Sequence, residues 1–288
     1  MKFILIAEDE DKTKFFFPTW EIIIFVVVVS FIFYLLFPQD LLNKSLSYHE
    51  PSPAILNYLQ AWERVYPQNP DLTVSVLEQE ANLGLIKEAQ TKLATLKKQQ
   101  TDAQMQSQLQ WIDYLILRHQ AYQAKPNTKE RIAYLQQLRQ STSTLAQLPL
   151  KDEQLKTLAL DSQIVAQAPV TLQIYNRLMA MDALKTPEEL AMGGSIAMQN
   201  NAHQNSADFY EAAYKLAEND IEKRKYAMKV VEVLWAGNRL NEALVFAEQL
   251  PEAVTNDRNF LLYLSHLAIA ANQPKIAEKY ALKALLTK

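Results

Sequence analysis

Two apolar patterns divide this chain. The first is the run at 15–37, FFFPTWEIIIFVVVVSFIFYLLF, whose inner part at 22–37 carries no charge and only Ser30 and Tyr34 as polar side chains. Twenty-three residues of α-helix reach about 34 Å, enough to cross a hydrocarbon core of about 30 Å. A buried strand is excluded by length, since strands usually stop near ten residues. The run therefore predicts a single transmembrane helix, with Trp20, Ile22, Phe25, Val28, Phe31, Leu35 and Phe37 as the residues that anchor it. Trp20 suits the membrane interface, Pro18 suits the first helical turn, and Glu21 lies at the edge where a carboxylate reaches water. The sequence LLFPQD that ends the run offers no pair of small residues to a signal peptidase. This predicts an anchor that stays uncleaved.

Beyond Pro38 the pattern changes. Apolar residues recur at spacings of three and four, no alternation of strand type persists, and punctuation separates the segments. Ser52-Pro53, Asn69-Pro70 and Gln273-Pro274 read as helix starts with proline in the first turn. Asn127 with Glu130, and Thr186-Pro187 with Glu189, have the spacing of capping boxes. The expectation is an all-α chain: a single N-terminal transmembrane helix, then about twelve helices of about 12–20 residues joined by short turns. Its parts are a tail at 1–14, the span at 15–37, a linker at 38–52, degenerate helical repeats at 53–182 and regular repeats at 183–288.

Repetition is clearest near the C-terminus. VVEVLWAGNRLNEALVFAEQL at 230–250 aligns with LSHLAIAANQPKIAEKYALKAL at 264–285, so that Ala243 and Ala277, and Ala247 and Ala281, coincide at an offset of 34. Ser206, Tyr210 and Ala213 hold comparable places one hairpin earlier. ANLGLIKEAQTKLATL at 81–96 has the same form, with Gly84 at the turn and Ala89 in the second helix. Small residues are required where two helix axes approach closely. On these residues the chain resembles the tetratricopeptide repeat family, well over 187–287 and fairly over 53–98. From Ala103 to Asp182 the helices are longer and carry no clean signature. The anchor ending in LLFP and the run EKRKYAMKVVEVLWAGNRLNEALVFAE are also similar to the membrane-proximal repeat region of the Pel exopolysaccharide export family. There such repeats scaffold periplasmic partners ahead of an outer-membrane β-barrel. This sequence has no alternating strands, so the barrel's role does not carry over.

The resemblance implies an α-solenoid of antiparallel helix pairs that binds a protein or peptide. It also implies that the first helix of each pair lines the concave face. With Pro187, Arg224 and Arg258 as unit starts, that face runs through Met198, then Met228, Glu232 and Trp235, then Leu262, His266 and Ile269. The competing assignment is that Trp235 and Met228 fill the core between units.

Composition narrows the remaining possibilities. Net charge is −3, from 29 basic and 32 acidic residues, so no strong field recommends a nucleic acid as partner. The absence of cysteine removes disulfides, thiolate nucleophiles and cysteine-ligated zinc. His49, His119, His203 and His266 are far apart and have no partner at ligand spacing. Tyr48-His49-Glu50-Pro51 matches no zinc-binding helix motif. Gly193-Gly194-Ser195 falls inside the helix opened by Thr186-Pro187, where it allows close helix contact and does not cradle phosphate. No cofactor, metal or catalytic set is expected, and the reading is not an enzyme. Lys2, Lys12 and Lys14 precede the span while Lys44 alone follows closely, which orients the N-terminus to the cytoplasm. The expected setting is the bacterial inner membrane with the body in the periplasm, as a scaffold in envelope or exopolysaccharide export assembly. The alternative is a cytoplasmic adaptor in assembly or quality control.

Overall fold

The computed structural model describes residues 19–36, 51–98 and 102–287, and among them every regular element is a helix. The predicted tail at 1–14, both ends of the predicted span, Phe37 among them, and most of the linker, including His49, lie outside the described residues. The chain divides into two compact units, Met1–Gln79 and Glu80–Lys288.

In the first unit, α1 (Thr19–Leu36) occupies most of the predicted span. Trp20, Ile22, Phe25, Val28 and Phe31 are all exposed, as are the residues between Ile22 and Val28. Its 18 residues reach about 27 Å. No helix among the described residues is long and apolar enough to cross a membrane. The 23-residue span of the sequence is thus not met by α1 alone, because 15–18 and 37 are not among the described residues. Helix α2 (Pro53–Val65) starts at the predicted proline and buries Leu56 and Leu59. Trp62 stacks on Tyr66 at 5.5 Å between ring centroids along its edge. Asn69 caps α3 (Pro70–Asn82), its Oδ1 accepting from the Leu72 N–H at 3.2 Å.

The second unit begins within the last turn of α3, at Glu80, and holds α4 (Ile86–Leu96), α5 (Ala103–Gln123), α6 (Lys129–Leu145), α7 (Asp152–Ile164) and α8 (Ala168–Ala180). It continues with α9 (Pro187–Gln199), α10 (His203–Leu216), α11 (Asp220–Ala236), α12 (Leu240–Glu248), the short α13 (Glu252–Thr255), α14 (Arg258–Ala270) and α15 (Pro274–Leu286). Helices adjacent in sequence are adjacent in space, as the pairs α5–α6, α7–α8, α9–α10, α11–α12 and α14–α15. The result is an array of antiparallel helix pairs joined by short turns. Two predicted starts shift. Thr128, not Asn127, caps α6, because Asn127 takes the left-handed conformation (φ 61°) while the Thr128 hydroxyl accepts from the Arg131 N–H. Helix α11 begins at Asp220, about one turn before Arg224, because Asn219 caps it there.

The turns reveal a repeat deeper than the sequence suggested. At Asn238 the chain turns left-handed, the Arg239 N–H reaches back to the Leu234 carbonyl, and the Asn238 N–H reaches the Trp235 carbonyl. That is the Schellman closure, which satisfies carbonyls that a helix end leaves open. The same pair of bonds closes α3, α7, α8, α9 and α14, with Gly84, Ala166, Asp182, Asn201 and Asn272 at the left-handed position. The turns inside the pairs α7–α8, α9–α10, α11–α12 and α14–α15, at Ala166, Asn201, Asn238 and Asn272, lie 35, 37 and 34 residues apart. Pair α7–α8, inside the stretch that showed no signature, therefore belongs to the regular series. Its turn is hidden because alanine is an unusual occupant of that conformation.

Packing follows the small residues. Ala243, Ala247 and Ala277 are buried, as are Ala89 and Ala213. In α9, a Cβ on Gly193 would stand 2.7 Å from the Phe209 ring, and one on Gly194 would stand 2.8 Å from the Tyr210 ring. The Ser206 hydroxyl donates to the Gly194 carbonyl at 2.7 Å across this contact. Lower in the array, the fully buried Asp161 of α7 accepts from three side chains of α5. These are the Tyr114 hydroxyl, Arg118 Nε at 2.6 Å and the Tyr122 hydroxyl at 2.5 Å. Burial, reinforced by the Asp161 charge, pushes both phenols above their ordinary range, so they remain donors.

The α9 start gives a pH-dependent term. Thr186 and Glu189 form the expected capping box, and Glu189 also meets Lys156 at 3.0 Å. Burial raises the Glu189 carboxyl, but the Lys156 ammonium and the Lys185 and Thr186 N–H groups outweigh it and hold the group below its ordinary value. A lowered folded value contributes stability above the unfolded pKa, and that stability is lost as pH falls through the folded one. Glu189→Gln should therefore lower the melting temperature at pH 7, and the gap from the wild type should close as pH falls below the ordinary glutamate range. A gap that is constant with pH would refute this role.

Candidate functional site

Sequence chemistry decides which side of α11 turns inward. Tyr226, Ala227, Val230, Val231, Val233 and Leu234 are buried. Met228, Glu232 and Trp235, at spacings of four and three, are left half-buried on another side. On α14, Phe260, Leu261, Leu264, Leu267 and Ala268 are buried, while Leu262, His266 and Ile269 are exposed. Ile269 is 64% exposed, a large value for an aliphatic side chain.

The two helices meet at this face through Trp235 and Tyr263, whose rings lie 5.0 Å apart at an angle of 51°. Lys229 Nζ pairs with Glu232 Oε2 at 2.7 Å, and that hydrogen bond raises the lysine pKa. Burial, then the Glu232 charge, raises the Tyr263 phenol. The face thus combines aromatic and aliphatic side chains with one ion pair and a histidine, a chemistry suited to holding a peptide.

Met198 is half-buried in the last turn of α9, where its carbonyl accepts from the Asn201 N–H. The exposed methionine of α9 is Met192, at 39%. Tyr263 was also missed, although its spacing of three from His266 puts it near the same stripe.

The described histidines are set apart from one another. His119 lies against Gly84 and His203 against Gly237, each where a Cβ would collide with it. Among the described residues no group of three or more His, Asp or Glu could hold a metal ion.

No family model matches the chain, and no curated protein matches it. A chain in the crystal structure of the APC/C hetero-tetramer Cut9-Hcn1 is similar over 82% of this chain and 49% of its own, with 12% identity and a TM-score of 0.32. The present chain spans about half the length of that one. At that TM-score the likeness carries no argument, and the fold assignment rests on the helix pairs and their turns.

Proposed function

We propose that this chain is a membrane-tethered scaffold, not an enzyme, which binds another protein through the face of α11 and α14. The supporting observation is the half-buried Trp235 against Tyr263, continued by the exposed Leu262 and Ile269. Large apolar side chains clustered outside a core are the usual anchors of a protein interface. Trp235→Ala should weaken partner binding by about 2 kcal/mol or more, roughly 30-fold, while leaving thermal unfolding nearly unchanged. The partner is first identified by crosslinking and pull-down of the full chain. If Trp235→Ala instead costs about 3–5 kcal/mol of stability, the residue is part of the core and the face is misassigned.

The tether is supported by α1, whose apolar side chains from Ile22 to Val28 are exposed all round. A helix apolar on every side needs a membrane or a protein to cover it. The lysine bias across the span supports a body in the periplasm, and the setting in an export assembly rests on the sequence resemblance alone. In the same preparations, alkaline carbonate should leave the chain in the membrane pellet, and protease added to spheroplasts should digest the body. Release by carbonate would remove the tether, and a protected body would reverse the orientation.

A further inference from the structure

A second concavity lies on the other side of α11. Val230 and Leu234 of α11 form its floor, while α10 and α12 form its walls, enclosing about 340 Å3. At about 100° per residue, Val230 and Leu234 point roughly half a turn away from Met228, Glu232 and Trp235. The groove and the Trp235 face therefore open in different directions.

Its lining has a consistent chemistry. Val245, 56% exposed, and Phe246 extend the apolar floor up the α12 wall. Tyr214 and Phe246 meet edge to face at 6.0 Å and bridge the two walls. Every charged residue of the lining is acidic: Asp208 and Glu211 on α10, and Glu242 on α12. Glu211 pairs with Lys215 at 2.6 Å and Glu242 with Arg239 at 2.5 Å, each along its own helix. The single-contact Glu211–Lys215 pair is of the weak, exposed kind that an incoming cation replaces, whereas Arg239 holds Glu242 through both carboxylate oxygens. Asp208 accepts from the amide of Gln204, at 2.7 Å.

We infer that this groove receives a basic amphipathic helix of a partner protein. That helix places bulky aliphatic or aromatic side chains between α10 and α12, with lysine or arginine on either flank. The apolar floor takes the anchor, the acidic rim selects its flanks, and two parallel walls favour a helix as the shape. The inference rests on the scaffold reading and adds a second partner, held at the same time as one on the Trp235 face.

The test uses the full chain in nanodiscs of zwitterionic lipid, with empty nanodiscs subtracted. The probe is a 14-residue fluorescein-labelled peptide with leucine at i, i+3, i+4 and i+7 and lysine elsewhere. A second peptide carries glutamate in place of lysine. Fluorescence anisotropy should show saturable binding of the lysine peptide and none of the glutamate peptide. Asp208→Lys combined with Glu242→Lys should weaken binding at least tenfold, and so should Val245→Asp. All these positions are exposed, and unchanged melting curves verify the fold. Trp235→Ala should leave this binding intact while weakening capture at the first face, so the two readings fail separately. Absence of binding, equal binding of the glutamate peptide, or unchanged affinity in both groove variants overturns the inference.

Discussion

Asp161→Ala is expected to destabilise the second unit by about 3–5 kcal/mol, the cost of removing one partner from a buried ionic cluster. The reason lies in what remains. Arg118 is partly exposed and can recover water, but Tyr114 is fully buried, and its hydroxyl would lose its acceptor inside α5. A buried donor left unsatisfied costs about 1–3 kcal/mol by itself. Tyr122→Phe removes one bond to a charged carboxylate that keeps two others, so a smaller loss of about 1.5–3 kcal/mol is expected. Urea unfolding measures both. Because arrays of this kind communicate through neighbouring helices, α5–α8 should open first, visible as faster amide exchange there. A loss below about 1 kcal/mol for Asp161→Ala would mean that the cluster does not brace α5 against α7.

Gly193→Leu is expected to separate α9 from α10, with a loss of about 3 kcal/mol, at the top of the usual range for overpacking. The sign of Gly193→Ala is the sharper test. In an exposed helix this change gains about 1 kcal/mol from helix propensity. Here the new Cβ would stand 2.7 Å from Cε1 of Phe209, a ring with no exposed surface that meets Tyr175 edge to face at 6.4 Å. The ring has little room to give, so the alanine variant should melt below the wild type. An alanine variant that melts higher would show that α9 and α10 do not approach this closely.

The features legible in the sequence are those whose cause is local. Pro53, Pro70, Pro187 and Pro274 open helices because a fixed φ and a missing N–H suit the first turn and nothing further in. The Thr186–Glu189 box and the turn at Gly84 are likewise properties of a few consecutive residues. The buried Ala243 and Ala277 were found because a repeat writes the same close approach twice. Helical spacing alone places Met228, Glu232 and Trp235 on one side of α11, away from Val230 and Leu234.

The features that only the tertiary structure decided depend on distant residues or on chain direction. Asp161 meets tyrosines 39 and 47 positions earlier, and nothing near it in sequence marks it as buried. The turn at Ala166 is held by its two backbone bonds and not by its residue type, which concealed one helix pair of the series. Tyr263 joins Trp235 only because α14 lies beside α11. The groove exists because α10 and α12 stand apart over α11, and a spacing between walls is written in no single helix. Local backbone chemistry thus set where helices begin, end and turn. The packing of one helix on another decided which polar groups are buried and which apolar ones remain free to bind.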